Sequence, residues 1–131
     1  GSSPLVPPIP GLDGVPYLTN ETIFDLRVAP AHLVIIGGGP IGIEMAQAHL
    51  RLGCRVTVIE GDRALGRDDP EAAALVLDSL RAEGLTLLEG ATAESVSASG
   101  AGITVKSSQG DVTGTHLLVA VGRRVNLDRL D

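Results

Sequence analysis

The sequence predicts a three-layer α/β domain, built on a mostly parallel sheet with helices on both faces. Three observations predict it. Apolar runs typical of strands buried on both faces recur at 32–36, 55–60, 85–88 and 117–121. Two stretches with the apolar period of a helix separate the first three runs. After Gly90 the period changes to two, which predicts an antiparallel β-meander inserted before the last parallel strand.

Composition excludes several classes of protein. The 131 residues are 44% hydrophobic with one Phe, one Tyr and no Trp, so the core must be aliphatic. The net charge of −6 argues against nucleic-acid and anionic-membrane partners, because both need a basic surface. No apolar run is long enough to cross a membrane, and a single cysteine, Cys54, excludes an internal disulfide. We expect a cytoplasmic domain that binds neither nucleic acid nor membrane.

Residues 1–18 form a proline-rich lead. Its five prolines predict an extended connecting segment that enters from another part of the protein and stays outside the sheet. Thr19 or Asn20 is expected to cap a short helix over 21–26, and Pro30 ends that region.

Each longer helix carries its own start and stop signals, a proline in the first turn and a glycine just past the end. These signals are Pro40 and Gly53 for the first helix, and Pro70, with Asp68 or Asp69 as its cap, and Gly84 for the second. The meander is expected as three short alternating segments separated by Gly/Ser turns, at 92–99, 102–107 and 111–115.

A GxGxxG turn joins the first strand to the first helix, the context in which this motif binds a dinucleotide. Gly37 permits the tight turn, Gly39 lets the backbone approach a diphosphate, and Gly42 lets the helix press against the strand. The loop amides and the positive end of the helix would then bind the diphosphate. The cofactor-binding residues predicted here are Gly37, Gly38, Gly39, Pro40, Ile41 and Gly42.

Glu60 ends the second strand 23 positions after Gly37, close to the spacing of about 20 in the dinucleotide fingerprint. Its carboxylate, with Gly61 beside it, is expected to accept hydrogen bonds from the adenosine ribose and to repel a 2′-phosphate. The sequence therefore favours NAD over NADP. Arg63 and Arg67 follow closely and soften that repulsion, which keeps NADP as the alternative.

Residues 37–46, GGGPIGIEMA, resemble the second glycine-rich motif of the pyridine nucleotide–disulfide oxidoreductases, the family of dihydrolipoamide dehydrogenase, glutathione reductase and mercuric reductase. Residues 7–12 resemble that family's lead into its nicotinamide domain, and residues 120–126 resemble its return to the flavin domain. Val121 and Val125 depart from the Thr and Pro usual in that return.

The resemblance implies a Rossmann-like NAD(P)-binding domain over 19–131, with the return crossing at 120–131. It also implies three further site residues. Glu44 matches a carboxylate beside the nicotinamide ring that pairs with a lysine of the flavin domain, Gly122 matches a dinucleotide contact, and Ala93 faces the adenine.

The same resemblance implies a homodimeric parent enzyme that passes a hydride between NAD and FAD and electrons to a cysteine pair. This sequence has a single glycine-rich turn and a single cysteine. We therefore expect FAD to bind the flavin domain of the parent, which with the interface domain is this chain's partner, and the fragment alone to be inactive. No catalytic or metal-binding residue is predicted, because His32, His49 and His116 have no carboxylate at a useful spacing.

Two alternatives stay open. A free-standing NAD-binding regulatory module would use the same glycine turn, although the proline-rich lead and the AVGRRVN exit make more sense as crossings to a partner domain. A methyltransferase also uses a glycine-rich turn and an acidic strand end, but the meander argues against it.

Overall fold

The computed structural model describes residues 2–4, 8–100, 102–121 and 123–125. The strands of these ranges are β1 (Ser2–Pro4), β2 (His32–Ile36), β3 (Arg55–Glu60), β4 (Thr86–Glu89), β5 (Ala93–Ser99), β6 (Gly102–Ser107), β7 (Gly110–Gly114), β8 (His116–Val119) and β9 (Arg123–Val125). The helices are α1 (Pro40–Arg51) and α2 (Pro70–Ala82), and single 3₁₀ turns cover Leu12–Gly14 and Ile23–Asp25. Within the described ranges, neither α-helix has the length and apolar character needed to cross a bilayer.

The central layer is a four-stranded sheet in the order β4-β3-β2-β8, parallel throughout. The helix signals predicted from sequence are confirmed. Pro40 lies in the first turn of α1, and Gly53 follows its end with a φ of 88°. At the start of α2 the capping residue is Asp69, whose Oδ2 accepts a hydrogen bond from Ala72 N–H at 3.0 Å.

The predicted meander is confirmed as a separate three-stranded antiparallel sheet, β5-β6-β7. It packs on one face of the parallel sheet, where alternate strand residues such as Val34, Ile36 and Leu117 meet Val96 and Val105. The other alternate residues face α1 and α2. The domain thus has the three layers expected, with the parallel sheet buried between the other two.

The expectation of helices on both faces is wrong. Ile43 and Ala46 of α1 belong to the same core cluster as Leu77 and Leu80 of α2, so both helices cover one face. The reason is the strand order. From β2 to β4 the chain moves in one direction across the sheet. Crossovers between parallel strands are almost always right-handed, and two successive ones in the same direction place both helices on one side. It then returns to place β8 on the other edge of β2, and that connection, the meander, covers the opposite face.

The lead also differs from expectation, because it does pair with other strands. β1 forms a two-stranded antiparallel ladder with β9. Leu18 extends the edge of the parallel sheet: its N–H donates to Leu117 O at 2.7 Å, and its carbonyl accepts from Val119 N–H at 2.8 Å. Leu12, only 2% exposed, packs into the core beneath the meander. Apolar side chains between the prolines make the lead part of the domain.

The helix expected over 21–26 is reduced to the 3₁₀ turn Ile23–Asp25. Thr19 is the local cap, since its Oγ1 accepts from the N–H groups of Glu21 and Thr22, both at 3.3 Å. One i→i+4 bond forms, from Ile23 N–H to Thr19 O at 3.0 Å. The N–H groups of Asp25 and Leu26 instead bond three residues back, and Leu26 is extended, so the helical stretch ends there. The apolar side chain of Ile23 is nevertheless buried in the helix-side core.

Candidate ligand-binding cleft

A cleft of about 730 Å³ opens at the carboxyl ends of β2, β3 and β8. Ligands of open α/β sheets bind at this edge. Its walls come from the glycine turn, from residues after β8, and from the segment between β3 and α2. The lining residues are Ile36, Gly37, Gly39, Pro40, Ile41, Ile59, Glu60, Gly61, Asp62, Arg63, Leu65, Gly66, Arg67, Asp68, Ala120 and Val121.

Two of the three motif glycines are required by the fold itself. Gly37 has a φ of 116°, and a Cβ there would overlap the Ala120 carbonyl. A Cβ on Gly42 would overlap the Gly37 carbonyl oxygen and contact the Ile35 side chain at 3.6 Å. These close approaches let α1 begin directly against β2, so its positive end points into the cleft.

Gly39 differs from both, because nothing in the described structure requires a glycine there. Its φ of −76° and ψ of −174° are open to any residue, and a Cβ would meet no atom within 4 Å. Gly39 lines the cleft, so the space beside it is free of protein atoms. The first intrahelical bond runs from Ile43 N–H to Gly39 O at 3.0 Å, so the amides of Ile41 and Gly42 precede the helical ladder. Gly39 thus keeps space open in front of a helix end able to bind an anion.

The Glu60 carboxylate lies beside the glycine turn, on the same side of the sheet. Its Oε1 accepts from Gly38 N–H at 2.7 Å, and its Oε2 accepts from Asp62 N–H at 2.8 Å. Each carboxylate oxygen has two acceptor positions, so one on each oxygen remains available to a ligand. The backbone bonds fix the carboxylate in place before any ligand arrives.

Charged side chains of both signs line the outer part of the cleft. Arg63 and Arg67 are exposed there, together with Asp62 and Asp68. Arg63 Nη2 donates to Gly66 O at 3.4 Å, which directs its guanidinium along the loop. The two arginines could therefore approach a phosphate near Glu60, as the sequence indicated.

Of the remaining predicted site residues, some line the cleft and others do not. Gly61 lines the cleft, whereas Glu44 is exposed on α1 and does not line it. Ala93 is half-buried against the meander-side core and also stands outside the lining. Gly122 lies outside the described residues, although Val121 before it lines the cleft.

Sequence reasoning missed Glu89 and Leu65. Glu89 pairs with Glu60 in the parallel register of β3 and β4, and its Oε2 accepts from Ala64 N–H at 2.9 Å. Leu65 is buried with a φ of 52°, rare for a residue other than glycine. The available signal for Glu89 was an acid that ends the third strand just as Glu60 ends the second. No local signal marks Leu65.

The histidines and the cysteine lie away from the cleft. His49 Nδ1 donates to Met45 O at 2.8 Å within α1, and His32 bonds Thr57 Oγ1 through Nε2 at 2.9 Å. Cys54 is buried in the helix-side core, and burial raises the pKa of its thiol. Among the described residues, no three His, Cys, Asp or Glu side chains are grouped so as to hold a metal ion.

Comparisons with known proteins show similarity in both sequence and fold. The family model described as pyridine nucleotide-disulphide oxidoreductase matches residues 1–131. Mercuric reductase of Streptomyces lividans is 43% identical over 128 residues, which cover 95% of this chain and 27% of that protein. The chain thus spans about a quarter of the length of such relatives.

Solved structures show the same fold. The HOCl-induced flavoprotein disulfide reductase RclA from Escherichia coli is 32% identical with a TM-score of 0.89, over 95% of this chain and 29% of that one. The water-forming NADH oxidase from Lactobacillus brevis, bound to NADH, is 29% identical with a TM-score of 0.88, over 99% of this chain and 31% of that one. An engineered form of that oxidase, bound to NADPH, carries five substitutions that remove one aspartate and introduce two arginines.

Proposed function

The chain belongs to the pyridine nucleotide-disulphide oxidoreductase family, and on that basis we propose that it is the domain that binds NAD(H) and orients its nicotinamide ring. One observation carries the proposal: Gly39 lines the cleft at the start of α1, yet it has no steric need within the chain to be a glycine. The family assignment argues against the methyltransferase alternative.

The residues of the cleft fit a dinucleotide. The diphosphate would lie against the amides that open α1, where the helix end attracts negative charge and Gly39 leaves room for it. The adenosine ribose would bind the remaining acceptor positions of Glu60. When bound, NAD(H) supplies hydride chemistry at its nicotinamide ring, while this chain binds the cofactor, directs the ring and excludes water from the bound face.

The charges around Glu60 favour NAD over NADP. A fixed carboxylate about 5 Å from a 2′-phosphate costs about 3 kcal/mol at an effective dielectric near 20, and the open cleft reduces that value through screening. Arg63 and Arg67 act in the opposite direction. The NADPH-bound oxidase lost an acid and gained arginines, a change consistent with this charge argument. Here the acid is present and tied to two amides.

In the longer protein, we propose that the nicotinamide is aimed at FAD held by a flavin domain outside this chain, as in an oxidoreductase of disulfides or related acceptors. The fragment alone would bind the dinucleotide without turning it over. Glu44, Ala93 and Gly122 belong to this proposal only through the family resemblance. The homodimeric state and the cytoplasmic location of the parent stay predictions.

The test is a calorimetric titration of the chain with NADH and with NADPH, on wild type and on Glu60→Gln. The amide oxygen of Gln can accept from only one of the two N–H groups that bond Glu60, those of Gly38 and Asp62. The readout is therefore the ratio of the two affinities, in which a local change that weakens both ligands equally cancels. We expect wild type to prefer NADH, and the NADH-to-NADPH affinity ratio to fall about tenfold in the variant, since charged acceptors contribute about 1.5 kcal/mol more than neutral ones.

Glu83→Ala is the matched control, because it removes an exposed acid at the far end of α2. It should leave the ratio unchanged. Preference of the wild type for NADPH would overturn the assignment of NAD, and binding of neither dinucleotide would overturn the proposed function.

A further inference from the structure

The segment between β3 and α2, residues 61–68, forms almost half of the cleft lining and is called the wall loop below. It carries Arg63 and Arg67, the cationic side chains among the lining residues. Its position therefore decides both the shape and the charge of the cleft beside Glu60.

Three backbone N–H groups of the wall loop donate to acceptors outside it, one of which, Glu60, directly precedes the loop. Asp62 N–H donates to Glu60 Oε2, Ala64 N–H to Glu89 Oε2, and Leu65 N–H to Gly38 O at 2.8 Å. Glu60 and Glu89 are register partners on adjacent parallel strands, so their side chains project from the same face of the sheet toward the loop. The two carboxylates together form a platform beneath the wall loop.

Glu89 is itself fixed from two sides. Arg81 Nη2 of α2 contacts its Oε1 at 3.3 Å, which leaves Oε2 for Ala64. Gln109 Nε2 donates to the Glu89 carbonyl at 2.7 Å from the turn between β6 and β7. Glu89 thus connects both outer layers of the domain to the wall loop without lining the cleft.

The conformation of Leu65 shows that the wall loop is held under strain. A left-handed backbone costs an L-residue of this size about 1–2 kcal/mol, and such strain persists only where the surroundings over-determine it. Ala64 is 4% exposed, so its N–H would be left buried and unpaired without Glu89. Without the bond to Glu89, the wall loop is expected to leave the strained conformation that shapes the cleft.

We propose that Glu89 is a positioning residue for the dinucleotide: through Ala64 it holds the wall loop, and with it Arg63 and Arg67, in the conformation that receives the adenosine end. This inference rests on the proposed function, because it concerns the affinity of that same site. Glu89 need not touch the ligand, since its effect passes through the backbone of the loop.

The experiment combines amide hydrogen exchange at Ala64 with calorimetric titration by NADH and by ADP-ribose. In Glu89→Ala we expect exchange at Ala64 to rise about tenfold, because a hydrogen bond to a charged group is lost. Both ligands should bind about fivefold to tenfold more weakly, by the same factor, because both carry the adenosine end and must order the loop. Glu89→Gln keeps an acceptor oxygen and should restore both readouts to within about threefold of wild type.

Two further variants separate positioning from general effects. Glu94→Ala removes an exposed acid of β5 and controls for charge. Val105→Ala controls for a general loss of stability. It removes part of a fully buried side chain in the meander-side core, on the face of the parallel sheet opposite to the helices. Neither should change affinity for NADH or ADP-ribose.

Equal binding by Glu89→Ala and wild type, or slow exchange at Ala64 in that variant, would overturn the inference while leaving the proposed function intact. If Glu89→Ala weakens NADH binding but leaves ADP-ribose binding unchanged, the inference is likewise overturned and the proposed function stays intact. A wild-type chain that binds neither ligand would overturn both.

Discussion

The cavities at the two ends of the parallel sheet differ in size and in the groups that line them. At the carboxyl end, the 730 Å³ cleft is bordered by backbone of the glycine turn and by the first turn of α1. At the amino end, a smaller niche of about 230 Å³ is lined by side chains: His32, Arg55, Thr57, Thr86, Leu88, Asp111, Val112 and Thr113. Both ends belong to the same strands, β2 and β3.

The hydrogen bonds explain the contrast. At the amino end, three hydrogen bonds engage His32: its Nε2 bonds Thr57 Oγ1, and the Thr115 hydroxyl donates to its carbonyl and accepts from its N–H, both at 3.1 Å. In the cleft, the N–H groups of the first turn of α1 precede the first bond of the helix, so they have no acceptor within the helix. The comparison supports the proposal that the ligand binds at the carboxyl end, where glycines leave backbone donors at the surface of the cleft.

The largest effect is expected from Gly42→Ala, which should lower the free energy of unfolding. It prevents the close contact between α1 and the glycine turn that brings the start of α1 to the cleft. The new Cβ would overlap the Gly37 carbonyl, and overpacking of this kind costs about 3 kcal/mol. Urea unfolding followed by circular dichroism measures the loss. An unchanged midpoint would mean that α1 does not need to lie so close to β2, and that the carboxyl end is less constrained than described.

Gly39→Ala should separate ligand capacity from folding at the same end. We expect unfolding free energy within about 0.5 kcal/mol of wild type, because the new Cβ meets no protein atom and the backbone suits alanine. NADH affinity should nevertheless fall about thirtyfold, equivalent to about 2 kcal/mol, because the new methyl group would take up space where we propose that the diphosphate binds. Calorimetry beside urea unfolding reports both values. Wild-type affinity in this variant would remove the main support for a dinucleotide in the cleft.

The smallest effect concerns His32 at the amino end. Burial, with Arg55 nearby, lowers the pKa of His32 below its ordinary 6.5. The unfolded chain therefore binds more protons, so stability falls as pH drops below about 6.5 and through the folded pKa. His32→Gln should lose less stability than wild type between pH 7 and pH 5. We expect a difference within about 0.5 kcal/mol, because solvent screens this half-exposed group.

Thermal unfolding across that pH range, with NADH titration at pH 7, checks the His32 prediction. The variant should bind NADH as wild type does, since the niche and the cleft lie at opposite ends of the strands. Weaker NADH binding would show that the two ends are coupled.

Several elements were predictable because their signals are local. Pro40 and Gly53 delimit α1, and Asp69 with Pro70 starts α2, since caps and left-handed stops act within one turn of chain. The change of period after Gly90 likewise predicted the meander. Glu60 was found beside the glycine turn because strand length and crossover length together fix where the second strand ends.

Other features were not predictable from the same signals. The left-handed Leu65 carries no local mark, since its conformation follows from the hydrogen bond to Gly38 and the neighbouring bond of Ala64 to Glu89. Leu18 was assigned to a lead outside the sheet, yet it completes hydrogen bonds along the free edge of β8. Each depends on a partner far away in sequence.

By itself, the sequence determined the types and order of the elements from β2 to β8, the glycine turn and the acid at the end of β3, because short-range sterics and capping decide these. Only the tertiary structure decided that both helices share one face, that the lead joins the sheet edge, and that Glu89 reaches the wall loop. Strand order determines all three, and strand order results from which distant apolar and polar groups find each other on folding.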